Sequence, residues 1–265
     1  MKIREYTVKT DKLSYGDKVC FLFVSDLHGQ AAERGGEILS VLRKRRPDAF
    51  LLGGDQISTR GTDRTESVCG FLAEAAAILP VFAVDGNHET RLRVKEKYKQ
   101  EWERIRQSFS GTGAAFLHNT AAVLPTRPEI RIAGFEAPLG SYRKLRRPYL
   151  PEGAVTEALG RCDGRFTVLL AHNPAFAGHY FAYGADLILA GHYHGGIVRF
   201  GRQVLISPYG FPFPKYGYGL YRKDSSTLIV SSGAGDHGIP LRICNPYEMI
   251  WITVEGEGHG DHRKS

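Results

Sequence analysis

An α/β fold in which two apolar-faced sheets pack together between flanking helices is what this 265-residue sequence predicts. Two observations lead there. The first half alternates strand-like and helix-like apolar patterns, and the second half is rich in strand-like runs with no linker before them. CFLFVS (20–25) is the first buried strand; Ile38, Leu39 and Leu42 mark one face of a helix over 31–46, which Pro47 ends. DAFLLGG (48–54) is the next strand, followed by Val68, Leu72, Ala75 and Leu79 at helical spacing, and PVFAVDG (80–86) is the third. One long amphipathic helix is expected next, with Val94, Tyr98, Trp102, Ile105 and Phe109 on its packed face. This βαβαβ rhythm implies right-handed crossovers and a parallel sheet.

Seven further runs supply the second sheet and complete the first: AAFLHN (114–119), EIRIAGFE (129–136), RFTVLLAH (165–172), DLILAGH (186–192), QVLIS (203–207), TLIVSS (227–232) and EMIWITV (248–254). PYGFPFPKYGYG (208–219) is a structured loop. Its aromatics Tyr209, Phe211, Phe213, Tyr216 and Tyr218 either wall a substrate or pin the loop. A single domain over 1–254 is expected, with a disordered tail over 255–265.

Hydrophobic content of 42% and charged content of 24% suit an ordinary globular protein. No apolar run approaches the roughly 20 residues that span a bilayer. The N-terminal stretch is polar and lacks a signal-peptide core, so a cytoplasmic location is expected. Cys20, Cys69, Cys162 and Cys244 form no CxxC pair and are expected to be reduced. The formal net charge of +7 admits nucleic acid, an anionic membrane or a phosphate-bearing substrate as partner. Its one compact basic cluster, 142–147 with Arg143 in it, is either a solvated loop or the rim of an anion site. No nucleic-acid recognition motif accompanies it.

Polar residues cluster where the strands end. Asp26 and His28 follow the first, Asp55 the second, and Asn87, His88 and Glu89 the third; His172, His192 and His194 follow two later ones. In α/β sheets the carboxyl ends of strands carry the ligand crevice. One βαβ unit of about 30 residues separates Asp26 from Asp55, and another separates Asp55 from Asn87, so these groups should meet on one edge. Each fragment alone is weak. The ordered set, bracketed by glycines, points to a metal site. Two divalent cations clamp the oxygens of a phosphate ester and lower the pKa of a bridging water. Asp55, central in the order, suits the bridge. The imidazoles favour Mn, Fe, Co or Zn over Mg.

DLH (26–28), GGDQ (53–56), GNHE (86–89), AHN (171–173) and GHYH (191–194), in that order, resemble the five motifs of the calcineurin-like metallophosphoesterases. SSGAGDHGIPLRICNPYEM (231–249) is similar to the small bacterial branch of that superfamily. The resemblance covers about 19–254. It implies a four-layer α/β/β/α sandwich with two mixed sheets flanked by helices, and a dinuclear centre of two divalent transition-metal ions (Mn, Fe or Zn). One ion would be held by Asp26, His28, Asp55 and His194, the other by Asp55, Asn87, His172 and His192. His88 would face the scissile ester and protonate the leaving oxygen or stabilise the transition state. Many members carry Asp where this chain has Glu89. Glu89 either orients an imidazole as part of the catalytic set or is a helix-start acid favoured by the dipole. Arg242, His237 and Arg143 are candidate substrate contacts; His118 and His179 fall outside the motifs.

The expected activity is metal-dependent hydrolysis of a phosphate ester, a phosphodiester or pyrophosphate being favoured, by in-line attack of the bridging hydroxide. A nuclease is one form of it. The rival is a non-catalytic protein-binding scaffold on the same fold, which the complete ligand set disfavours. The substrate is a small phosphate ester or a lipid-linked one. The chain carries no transmembrane run, and contact with a membrane surface remains open.

Overall fold

The computed structural model describes residues 1–59, 62–142, 149–207, 212–236 and 241–258. In chain order the strands and helices are β1 (Lys2–Ser14), β2 (Lys18–Val24), α1 (Ala31–Arg45), β3 (Ala49–Leu52), α2 (Thr65–Ala76), β4 (Val81–Ala83), α3 (Asn87–Val94), α4 (Lys99–Ser110), β5 (Ala115–Phe116), β6 (Thr120–Leu124) and β7 (Arg127–Phe135). They continue as α5 (Ala154–Leu159), β8 (Phe166–Ala171), α6 (Ala177–Tyr183), β9 (Leu187–Ala190), β10 (Val198–Phe200), β11 (Gln203–Ile206), β12 (Gly219–Lys223), β13 (Ser226–Val230) and β14 (Glu248–Gly258).

Two six-stranded mixed sheets result, ordered β1-β14-β2-β3-β4-β5 and β12-β13-β9-β8-β7-β6, with β10 and β11 as a separate ribbon. Strands β2 to β5 run parallel, as do β7, β8, β9 and β13, while β14 against β2 and β6 against β7 are antiparallel. Side-chain alternation along the strands builds the layers. Phe21 and Phe23 of β2 face Ile130, Val168 and Leu189 of the other sheet in the central core. Leu22 and Val24 point the opposite way, onto Ile38, Leu42, Val68 and Leu72 of α1 and α2. The far face of the second sheet packs Phe135, Leu169 and Ile188 against Val155, Tyr180 and Phe181 of α5 and α6. Strands β2, β3, β8 and β9 are buried on both faces, which is why they read as unbroken apolar runs. The layers are α/β/β/α.

Three local expectations change. The long helix is two helices, broken at Lys95, which takes extended angles of φ −88 and ψ 121. Tyr98, Trp102, Ile105 and Phe109 pack on the core, whereas Val94 is 61% exposed. Helix α3 neighbours the turn Leu139–Tyr142 and α4 neighbours α2, two directions that one straight helix cannot serve. The N-terminal stretch, polar in sequence, is the edge strand β1, paired in parallel along β14. The last strand therefore continues past 254, with Thr10 paired to Gly256 and Ser14 to Gly258, so 255–258 are strand rather than tail.

Candidate metal centre

Strand ends deliver the polar residues to one place. The turn after β2 carries Asp26 and His28, the turn after β3 carries Asp55, and α3 starts at Asn87 just after β4. His172 follows β8; His192 and His194 follow β9. Asp26, His28, Asp55, His192 and His194 all hold positive φ, between 48 and 69. That region is costly for residues other than glycine, and its concentration at one site marks a backbone shaped for function. Two glycines make room for the carboxylates. A Cβ at Gly86 would lie 2.1 Å from Asp55 Oδ1, and one at Gly191 would lie 2.2 Å from Asp26 Oδ2.

The donors converge in two groups. Ligand atoms of Asp26, His28 and His194 lie within 4.8 Å of one another, as do those of Asp55, His172 and His192. In the first group the Nε2 atoms of His28 and His194 are 3.1 Å apart, and His194 Nε2 is 3.3 Å from Asp26 Oδ1. Bonds of 2.0–2.2 Å to one ion at right or tetrahedral angles separate donor atoms by roughly 2.8–3.6 Å. Asp55 Oδ2 sits between the groups, 3.9 Å from His28 Nε2 and 3.3 Å from His172 Nε2. A ring nitrogen of His88 also comes within 4.8 Å of donors of His28 and Asp55. Asn87 is buried at the first turn of α3, beside the His88 N–H that donates to Asp55 Oδ1 at 2.8 Å.

His172 tests whether these residues fit metal ions. Its Nδ1 lies 2.7 Å from the carbonyl of Gly53 and donates to it, which leaves the Nε2 lone pair facing carboxylate oxygens. That Nε2 is buried and has no hydrogen-bond partner. Acceptors facing acceptors in a buried site call for a cation. In the metal-free protein a proton takes that place: burial lowers the His172 pKa, but Asp55 and Asp26 outweigh it and raise it to about 10. Burial, with Asp55 adjacent, pushes Asp26 up to about 6. Burial also works against ionised Asp55, yet His172, His88 and His28 hold it well below the carboxylate range. The donor set fits divalent metal ions.

His88 Nδ1 accepts from the backbone N–H of Thr59 at 3.0 Å, so the neutral ring carries its proton on Nε2. Glu89 sits at the first turn of α3, next to His88. It is fully buried, and its carboxylate accepts three backbone N–H bonds, from Asp55 (3.0 Å), Ile57 (2.9 Å) and Gly86 (2.8 Å). It caps α3 and ties the Asp55 turn to it. Burial and Asp55 push its pKa up to about 8, against the pull of those donors. Arg242 faces inward: its guanidinium donates to the carbonyls of Ser232 (2.7 Å) and Gly235 (2.5 Å), and more distantly to that of His194 (3.4 Å). Arg143 and His237 lie outside the described residues, as do Tyr209 and Phe211. Of the other loop aromatics, Tyr216 packs on Phe181 and Tyr218 bonds Glu248, while Phe213 is exposed.

Sequence reasoning missed three supports. Asn245 donates to the carbonyls of His194 and Gly196, both at 2.6 Å, and so fixes the GHYHGG turn. Thr59 sets the His88 tautomer, and Ser25 donates to Asp26 Oδ2 at 2.6 Å. Tyr142, noticed only as part of a basic run, lays its ring edge-on to His192 with centroids 5.2 Å apart. None of these has a spacing signal: Asn245, Thr59 and Tyr142 meet partners distant in the chain, and a serine beside an aspartate is unremarkable in sequence. The four cysteines are free. Among the described residues no helix is long and apolar enough to cross a membrane.

Residues 21–196 match the family model described as calcineurin-like phosphoesterase. An uncharacterized metallophosphoesterase of Aquifex aeolicus is 27% identical over 266 residues, covering 98% of this chain and 94% of that protein. Another, from Helicobacter pylori, is 28% identical over 260 residues, covering 96% of this chain but 64% of its own length. Among solved structures, TT1561 of Thermus thermophilus superimposes with a TM-score of 0.52 at 14% identity, covering 83% of this chain and 90% of that one, a likeness of fold. The chain belongs to the calcineurin-like phosphoesterase family, and it is a metal-dependent hydrolase of phosphoric ester bonds.

Proposed function

We propose that this chain hydrolyses a phosphodiester or pyrophosphate at a dinuclear centre. One divalent transition-metal ion (Mn, Fe or Zn) would be held by Asp26, His28, Asp55 and His194, and the other by Asp55, Asn87, His172 and His192. The observation that carries this reading is Asp55 Oδ2 standing between two donor groups, within 3.9 Å of His28 and 3.3 Å of His172. When bound, the two cations supply Lewis acidity at the phosphoryl oxygens and lower the pKa of an attacking water.

The chain's own residues do the rest. Asp26 and Asp55 supply two negative charges, which leaves a doubly loaded site positive and selects an anionic ester. His88 carries its proton on Nε2 and delivers it to the leaving oxygen, or stabilises charge there. Glu89 holds the Asp55 turn to the start of α3, which ties the position of the Asp55 carboxylate to that of His88. Arg242 and Asn245 fix the turn that presents His194. Tyr142 covers the His192 side and narrows the approach of the ester substituents.

Hydrolysis of bis-p-nitrophenyl phosphate against p-nitrophenyl phosphate, on metal-stripped protein reloaded with Mn or Zn, tests the substrate class. A kcat/KM at least tenfold higher for the diester is expected. Preference for the monoester would overturn the diester assignment.

A further inference from the structure

Outside the dinuclear centre, three more strand ends bring ionisable groups together. Asp85 follows β4, His118 follows β5 and Glu136 follows β7, so the cluster spans the carboxyl ends of both sheets. Their ligand atoms lie within 4.8 Å of one another. His118 Nδ1 is 2.8 Å from Glu136 Oε1 and 3.6 Å from Asp85 Oδ2. Both separations fall in the roughly 2.8–3.6 Å span of donors that share one ion.

Asp85 distinguishes this cluster from an ordinary ion pair. It is fully buried, and neither carboxylate oxygen accepts a hydrogen bond. A buried carboxylate left so is costly. The nitrogens around it stand off: Arg93 Nη1 and His118 Nδ1 are each 3.6 Å from Asp85 Oδ2. Arg93 commits Nη2 to Glu136 Oε2 at 2.5 Å and places Nη1 3.3 Å from His118 Nδ1, while Glu136 Oε1 lies 2.8 Å from His118 Nδ1 and accepts from the Asp85 backbone N–H at 3.3 Å. When ionised, the two carboxylates together carry about −2, against about +1 on one guanidinium. His118 is 42% exposed at its side chain and Arg93 32%, so the cluster opens to solvent on that side.

We propose that Asp85, His118 and Glu136 form an auxiliary site for a divalent transition-metal ion, distinct from the dinuclear centre, with Arg93 as the internal counter-ion that gates it. One imidazole and two carboxylates suit Mn or Zn, with the remaining positions left to water. The ion displaces Arg93 Nη1 from beside Asp85, and the half-exposed arginine turns towards solvent. Through Asp85 the ion also braces the turn that leads into Asn87 and His88.

The test counts bound Mn(II) on metal-stripped, full-length protein by equilibrium dialysis over stepped free-metal concentrations. Wild type is expected to show a tight class of two and a weaker class of one. Asp85→Asn should lose only the weaker class, and His118→Ala, at an exposed position, should give the same loss should the buried variant fold poorly. Arg93→Gln should tighten the weaker class by about tenfold, because it removes the competing charge. Asp55→Ala should disturb the tight class and leave the weaker one, so failure of the dinuclear reading is separable from failure of this one. Absence of a weaker class in wild type, its survival in both Asp85→Asn and His118→Ala, or an unchanged affinity in Arg93→Gln would overturn the proposal.

Discussion

Replacing Glu89 by Gln separates two roles that a carboxylate beside His88 can play. Its two oxygens accept N–H bonds from Asp55, Ile57 and Gly86, with Oε2 taking those of Asp55 and Gly86 and Oε1 that of Ile57. A glutamine in the same place has one acceptor oxygen. If that oxygen keeps the two bonds of Oε2, its amide NH2 faces the Ile57 N–H. A buried donor left without a partner costs about 1–3 kcal/mol. The expected destabilisation is therefore about 1–3 kcal/mol, or roughly 2–6 °C in Tm for a domain of this size. Thermal melts of metal-loaded wild type and Glu89→Gln measure it, with kcat at saturating metal recorded on the same samples. A tether predicts this fall in Tm, weaker metal uptake, and a kcat largely recovered at high metal. An unchanged Tm with a shifted pH profile of kcat would refute the tether and return Glu89 to orienting His88.

His88→Ala should bind metal with wild-type stoichiometry but lose about 10²–10³-fold in kcat, more for esters with poor leaving groups, as leaving-group series would show. Asn245→Ala removes both bonds that fix the His194 turn; a loss of about 2–4 kcal/mol by denaturant titration and weaker binding of one of the two tight ions are expected. In the metal-free protein, His172 has its pKa raised from 6.5 to about 10, which stabilises the fold fully below the unfolded value and is lost as pH rises through about 10. Tm of the stripped protein should fall over that window. Because a ligating imidazole must give up this proton, metal uptake at about pH 8 should release it and strengthen as pH rises. Calorimetry in buffers of different ionisation enthalpy reads the release directly, and an absence of proton release would contradict the assignment of His172 as a ligand.

The strands that bear the site were legible because both of their faces are buried, so FLFV, AFLL, FTVLLA and LILA stand out as apolar runs with polar residues at their ends. Strand β1 was not, since an edge strand exposed along most of its length carries little apolar pattern; its place comes from backbone pairing to β14. The break at Lys95 escaped notice because the apolar spacing runs on across it, although Val94 does not pack. For the site, residue types and order pointed to the Asp and His groups that the fold brings together. The supports did not follow from type. Glu89 reads in sequence as an orienter of an imidazole or as a helix-start acid, and type alone does not reveal that its carboxylate accepts three backbone N–H bonds. Arg242 has the chemistry of a phosphate clamp, and its bonds to the carbonyls of Ser232 and Gly235 could not be read from type. Asp85 and Glu136 lie 51 residues apart and meet only when the two sheets pack together.

The central claim is that turnover depends on metal held through Asp55. Metal-stripped wild type and Asp55→Ala would be titrated with Mn(II) while hydrolysis of bis-p-nitrophenyl phosphate is followed. The account predicts no turnover without metal, a rise that saturates as the tight sites of wild type fill, and loss of at least about 10³-fold in the variant at every metal concentration. Wild-type rates in metal-replete Asp55→Ala, or equal turnover by stripped and loaded protein, would contradict it.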